Sequence, residues 1–131
     1  MAGDFCKICL LNWGITSLPE KIGNLSSLKE LDVGHNFLTN LASRIVRLTS
    51  LKKLILRHNP LRSLPRELGR LTNLKKLNIN NTNNEDLQFL PNELNELGEL
   101  INLRVLLLKE NLILFLPENF SQLTKLEEIT I

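Results

Sequence analysis

The chain has no tyrosine, and aromatic residues make up only 5% of it. Proteins that hold single strands of nucleic acid stack bases on aromatic rings, so this scarcity argues against such a platform. A strong charge of one sign is also missing: 16 Lys and Arg face 14 Asp and Glu, a net charge of +2. That is too small to draw in nucleic acid by itself. No apolar run approaches the roughly 18 residues of a membrane span. The opening segment from Met1 to Trp13 has Lys7 among its apolar residues and no basic leader before them, so it does not read as a secretory signal. The expectation is an intracellular, cytoplasmic protein.

Cysteine is scarce too, with Cys6 and Cys9 the only two. Their C-x-x-C spacing can serve redox chemistry or zinc. Redox use favours a first Cys at a helix N-terminus, whereas Cys6 falls on an expected strand. Zinc takes about four ligands, and the only histidines, His35 and His58, lie far along the chain. The pair therefore reads as coincidence, and no metal or cofactor is expected. Neither a G-x-S-x-G elbow, a phosphate-binding Gly-rich loop nor a carboxylate pair at catalytic spacing is present. The reading is non-enzymatic. Three glycosylation sequons begin at Asn24, Asn80 and Asn119. Without a signal peptide they read as chance.

Leucine is what the chain has in quantity, and it recurs with a period. Leu51 to Asn73 reads LKKLILRHNPLRSLPRELGRLTN. Numbered from Leu51, apolar residues fall at positions 1, 4, 6, 11, 14, 18 and 21, with Asn59 at position 9. The unit before it starts at Leu28 and the one after at Leu74, a spacing of 23 residues each way (51 − 28 and 74 − 51). A first unit covers 5–27, with Trp13 where the Asn should stand. The fourth, 74–102, is 29 residues long and carries an Asn-rich insertion from Asn83 to Phe89. That insertion is either a binding loop on the rim or a neutral addition, since lengthening a loop costs little entropy. A fifth unit spans 103–125, and a partial sixth 126–131. All belong to a single domain, 1–131.

Positions 4 and 6 alternate as in a strand, while 14, 18 and 21 have helical spacing. Pro at position 15, as in Pro19, Pro65 and Pro117, suits a helix start. Each unit is thus a short strand, a turn, and a helical or 3₁₀ return. One unit cannot bury its own apolar side; stacked units can. The fold class expected is α/β: a right-handed solenoid with a parallel sheet of about six short strands. Return elements are bulkier than strands, so the stack curves with the sheet concave and the returns convex. The chain turns inward at position 9, where an Asn side chain can satisfy exposed backbone groups. Asn36, Asn59 and Asn111 are expected to form this ladder.

The pattern L-x-x-L-x-L-x-x-N-x-L resembles the leucine-rich repeat superfamily over Phe5 to Ile131. The returns Leu18-Pro-Glu-Lys-Ile-Gly-Asn-Leu and Leu64-Pro-Arg-Glu-Leu-Gly-Arg-Leu are similar to the 23-residue subclass of Ras-suppressor-type and Ras-scaffold proteins. The resemblance implies a horseshoe segment that binds another protein on its concave face, as an intracellular signalling adaptor or scaffold. Phe5, Ile8, Leu10, Ile129 and Ile131 would leave the end strands open, and open strands pair with other chains. The alternative expectation is therefore a structural or fragmentary segment that self-associates or belongs to a longer repeat protein.

Solvent-facing residues of the sheet are expected at positions 2, 3, 5, 7 and 8. Position 2 gives a basic row, Lys29, Lys52, Lys75 and Arg104, widened by Lys53, Lys76, Arg57 and Lys109. Ile55, Val105 and Leu107 are expected as exposed apolar anchors beside Asp32 and Asn78. His35 and His58 share position 8 in adjacent units and should be neighbours. The expected partner is a protein with an acidic segment, which would relieve the crowding of like charge.

Overall fold

The computed structural model describes residues 6–80, 97–111 and 116–131. The insertion expected over 83–89, and Phe5, lie outside the described residues. Within them the strand alternation produces six three-residue strands: β1 (Lys7–Cys9), β2 (Glu30–Asp32), β3 (Lys53–Ile55), β4 (Lys76–Asn78), β5 (Val105–Leu107) and β6 (Glu128–Thr130). They form one open sheet in chain order, every pair parallel. Lys7, Glu30, Lys53, Lys76, Val105 and Glu128 stand in one register row. The offsets along that row are 23 residues, except between Lys76 and Val105, where 105 − 76 gives 29. The longer fourth unit thus leaves the strand register intact.

Parallel neighbours need a crossover between them. Among the described residues four crossovers carry a 3₁₀ turn: η1 (Glu20–Asn24), η2 (Ser43–Arg47), η3 (Arg66–Arg70) and η4 (Glu118–Gln122). Sequence spacing leaves open whether these are helical or 3₁₀; the i→i+3 bonds decide for 3₁₀. Ile22 donates to the Pro19 carbonyl at 3.0 Å, Leu68 to Pro65 at 3.0 Å and Phe120 to Pro117 at 3.1 Å. Each proline precedes its turn with φ near −65°, the value its ring imposes. Ala42 takes the same conformation unaided before η2, with φ −59°. The returns lie close together. A Cβ on Gly23 of η1 would meet the Arg44 carbonyl at 3.0 Å and the Arg47 side chain at 3.3 Å.

Between sheet and returns runs the apolar column. Leu28, Leu31, Leu48, Leu51, Leu54, Leu71, Leu74, Leu77, Leu103 and Leu106 are all fully buried. Burying a leucine is worth about 1.5–3 kcal/mol, and here the second to fifth units each supply several. The polar lining of the column is the Asn ladder. Asn59 is fully buried; its Nδ2 donates to the carbonyls of Val33 and Leu56, both at 2.9 Å, and its Oδ1 accepts from the Leu38 amide at 3.0 Å. Asn36 repeats this one unit earlier, donating to Leu10 and Val33 at 2.9 Å and accepting from Ile15 at 3.2 Å. Asn111 donates to Ile79 at 2.7 Å and Leu108 at 2.9 Å. In each case the Asn ties its own strand exit to the preceding one. Trp13, in the Asn place of the first unit, is 69% exposed, and its amide donates to Asn36 Oδ1 at 3.0 Å.

A second ladder, not anticipated from the sequence, closes the units at their ends. Asn73 Nδ2 donates to the Thr49 carbonyl at 2.8 Å and Asn102 Nδ2 to the Thr72 carbonyl at 2.6 Å. Lys125 then donates to Asn102 Oδ1 at 2.7 Å. The repeated Thr-Asn-Leu and Ile-Asn-Leu at Thr72 and Ile101 were the available signal.

Candidate binding face

Position 4 is fully buried in β2 to β5, so positions 3 and 5 point out on the free side of the sheet. The row at position 2 enters the sheet just ahead of the strands. Its backbones are bonded in sequence: Lys52 N to Lys29 O at 2.7 Å, Lys75 N to Lys52 O at 2.7 Å, Arg104 N to Lys75 O at 2.8 Å, Glu127 N to Arg104 O at 2.8 Å. Lys29, Lys52, Lys75 and Arg104 are thus consecutive, and all four side chains are exposed. Lys53 and Lys76 are paired in register beside them and half-buried. Only two ion pairs occur among the described residues, Lys7–Glu30 at 3.5 Å and Arg44–Glu20 at 3.6 Å. Neither neutralises the row.

The expected exposure of two residues is corrected. Ile55 is only 6% exposed and Asn78 only 7%. They sit side by side in register, flanked by Asp32 and Leu107, and neighbours on both sides close over them. Ile55 is therefore a floor rather than a projecting anchor. Asn78 acts locally, its Oδ1 accepting from the Asn80 amide at 3.0 Å. Asp32 does the same for Gly34 at 2.9 Å. Both hold the strand exit by bonding the amide two residues on. Val105 and Leu107 remain half-buried on this face. Where β1, β2 and β3 meet, Lys7, Cys9, Glu30, Asp32, Lys53 and Ile55 line a shallow depression of about 100 Å³. Cys6 and Cys9 are free thiols, both exposed. Among the described residues no three His, Cys, Asp or Glu come together as a metal site.

At the far end of the strands stand the histidines. Their rings face one another, centroids 4.2 Å apart at 31°. Sequence reading brought them together but missed why the position is special. Asn12, His35, His58 and Glu110 all have left-handed φ, between 53° and 64°. Asn and His enter that region more readily than most residues, and Asn12 was the visible hint. Burial holds the His58 imidazole below its usual pKa, aided by His35 and Arg57, while Glu110 opposes them. Arg57 lies across Gly34, where a Cβ would come within 3.2 Å of the Arg57 stem. Its Nε is buried without an acceptor among the described residues. Lys109 is exposed, its amide bonded to Asn80 Oδ1 at 2.8 Å.

Stacked strand-and-turn units around a leucine column, with an Asn ladder and a side-chain-rich free sheet face, define a repeat solenoid. The sequence matches the family described as leucine-rich repeat region over residues 8–131, and the chain belongs to that family. Its fold recurs in solved structures. A leucine-rich repeat protein of Leptospira interrogans is 31% identical with a TM-score of 0.72, over 99% of this chain and 38% of its own. Internalin C2 of Listeria monocytogenes is 27% identical with a TM-score of 0.78, over 96% of this chain and 51% of its own. The Arabidopsis receptor kinase HAESA, solved with the peptide hormone IDA and the co-receptor SERK1, is 26% identical with a TM-score of 0.69, over 87% of this chain and 19% of its own. This chain therefore spans about half or less of these proteins' lengths. A search of curated protein sequences finds no match. The family is generally one of protein–protein interaction modules and typically non-enzymatic. No helix among the described residues is long and apolar enough to cross a membrane.

Proposed function

We propose that the chain is a non-enzymatic module that captures an acidic protein segment on its free sheet face, across the units of β3 to β5. The observation that carries this reading is the row Lys29, Lys52, Lys75 and Arg104: four consecutive exposed cations, none in an ion pair with a described residue. Neighbouring strands lie about 4.8 Å apart, so these charges repel until a partner's carboxylates intervene. Arg57, half-buried at position 7, adds a further cation on this reading. The remaining proposed contacts are Asp32, His35, Lys53, Ile55, His58, Lys76, Asn78, Leu107 and Lys109, with Ile55 and Asn78 acting as floor. The units form one domain on this reading, and the Leu-Pro-x-x-Ile-Gly-x-Leu returns favour an intracellular signalling adaptor of the Ras-suppressor type.

The test reverses Lys52, Lys53 and Lys75 together to Glu. Binding of an acidic peptide should fall at least about tenfold, a change of roughly 1.4 kcal/mol, with the thermal melt little altered because all three side chains reach solvent. Unchanged binding would reduce these lysines to solubilising residues. The rival expectation, a segment that pairs with copies of itself, predicts a solution mass that rises with concentration. A constant monomer mass would remove it.

A further inference from the structure

The geometry of the face restricts the shape of its occupant. Lys29, Lys52, Lys75 and Arg104 are strand neighbours, so they recur at about 0, 4.8, 9.6 and 14.4 Å across the sheet. An α-helix rises about 1.5 Å per residue. Residues i, i+3, i+7 and i+10 therefore stand at about 0, 4.5, 10.5 and 15 Å, each within about 1 Å of a cation. At about 100° per residue, the four lie within an arc of roughly 80°, one narrow stripe. An extended segment presents same-side residues about 6.8 Å apart. Its carboxylates would miss both central cations, Lys52 and Lys75, by about 2–3 Å.

The width of the face agrees. Position 5 lies three residues beyond position 2, about 10 Å along the strand. A helix with its side chains is about 10–12 Å across. Lying across the strands, it would set its acidic stripe on the position-2 row and rest its underside on Ile55 and Leu107, which the register places two strands apart in the same row. Val105, half-buried in β5, extends this less polar floor. The lengthened fourth unit does not interrupt the track, because β4 and β5 pair directly.

We infer that the occupant of this face is an acidic α-helix lying across the strands, its carboxylates at i, i+3, i+7 and i+10 meeting Lys29, Lys52, Lys75 and Arg104. The inference rests on the acidic-docking reading above and adds the occupant's conformation.

Three labelled synthetic peptides test it by fluorescence anisotropy with the full chain at low ionic strength. One carries four Glu at i, i+3, i+7 and i+10 in an Ala-rich helical host. A second has the same composition with the four Glu spread around the helix. A third alternates four Glu with Val and Thr to favour an extended chain. The striped helix should bind at least about tenfold tighter than either, and the Lys52→Glu, Lys75→Glu double variant, checked for its fold by circular dichroism, should lose that preference. Equal binding of striped and scattered helices overturns the inference. Tighter binding of the alternating peptide also overturns it, while leaving acidic docking intact. Binding by none of the three overturns docking as well.

Discussion

At the scale of single residues, polar side chains inside the column carry more consequence than the leucines' number suggests. Asn59 satisfies three backbone groups at once, the Val33 and Leu56 carbonyls and the Leu38 amide, with no solvent at hand. Asn59→Ala would strand all three, and a buried orphan group costs about 1–3 kcal/mol. The variant should therefore lose at least that much in a denaturant melt. Asn111→Ala should lose less, since its surroundings are half-open and water can replace the amide. His58 gives a pH signature. Its folded-state pKa lies below 6.5, chiefly through burial, so the unfolded chain binds the proton more readily. Stability then holds above about pH 6.5 and declines as pH falls from there toward the folded-state value. His58→Asn, which tolerates the left-handed φ of 56°, should flatten that decline in melts between about pH 7 and 5. An undiminished decline would place the titration elsewhere.

At the scale of elements, the strands were legible and the returns only partly so. Positions 4 and 6 announce a strand because alternation has no helical counterpart, and β1 to β6 span positions 3 to 5, with position 6 just beyond. The returns are five residues each, too short for leucine spacing to separate a 3₁₀ turn from an α-helix. The close approach of successive returns was not legible at all, because nothing in the Ile-Gly of η1 states what lies above it. Gly23 sits under the Arg44 carbonyl, 3.0 Å from where a Cβ would be. Gly23→Ala must push η1 and η2 apart by a few tenths of an ångström. Overpacking of this kind costs about 1–3 kcal/mol. The expected result is a lower melting temperature despite the entropy that alanine removes from the unfolded chain. A rise in stability would show that the returns have slack.

At the scale of the molecule, a repeat turns a one-dimensional rule into a surface, and that is where sequence reading succeeded and failed together. Column arithmetic places Lys29, Lys52, Lys75 and Arg104 in one row, because parallel register preserves position number even across the longer fourth unit. It cannot say how far neighbours cover a residue, so Ile55 and Asn78 looked open and are closed. Nor does it reveal that Asp32 is spent on the Gly34 amide. The molecule's net charge of +2 conceals the row, since acids offset it, among them Glu127, which follows Arg104 in the position-2 row, and Glu30 and Glu128 in the register row beside it. The distinction has a measurable consequence. Attraction from a net charge this small would be weak at any ionic strength, whereas a row of cations about 4.8 Å apart acts within a Debye length of about 14 Å at 0.05 M and about 4 Å at 0.5 M salt. Binding of an acidic peptide should therefore weaken at least about tenfold over that range. The Lys52→Glu, Lys53→Glu, Lys75→Glu variant has a net charge of 2 − 6 = −4, so its residual binding should not weaken with salt and should rise as salt screens the repulsion. Salt-independent binding by the unaltered chain would mean that an apolar surface, not the basic row, holds the partner.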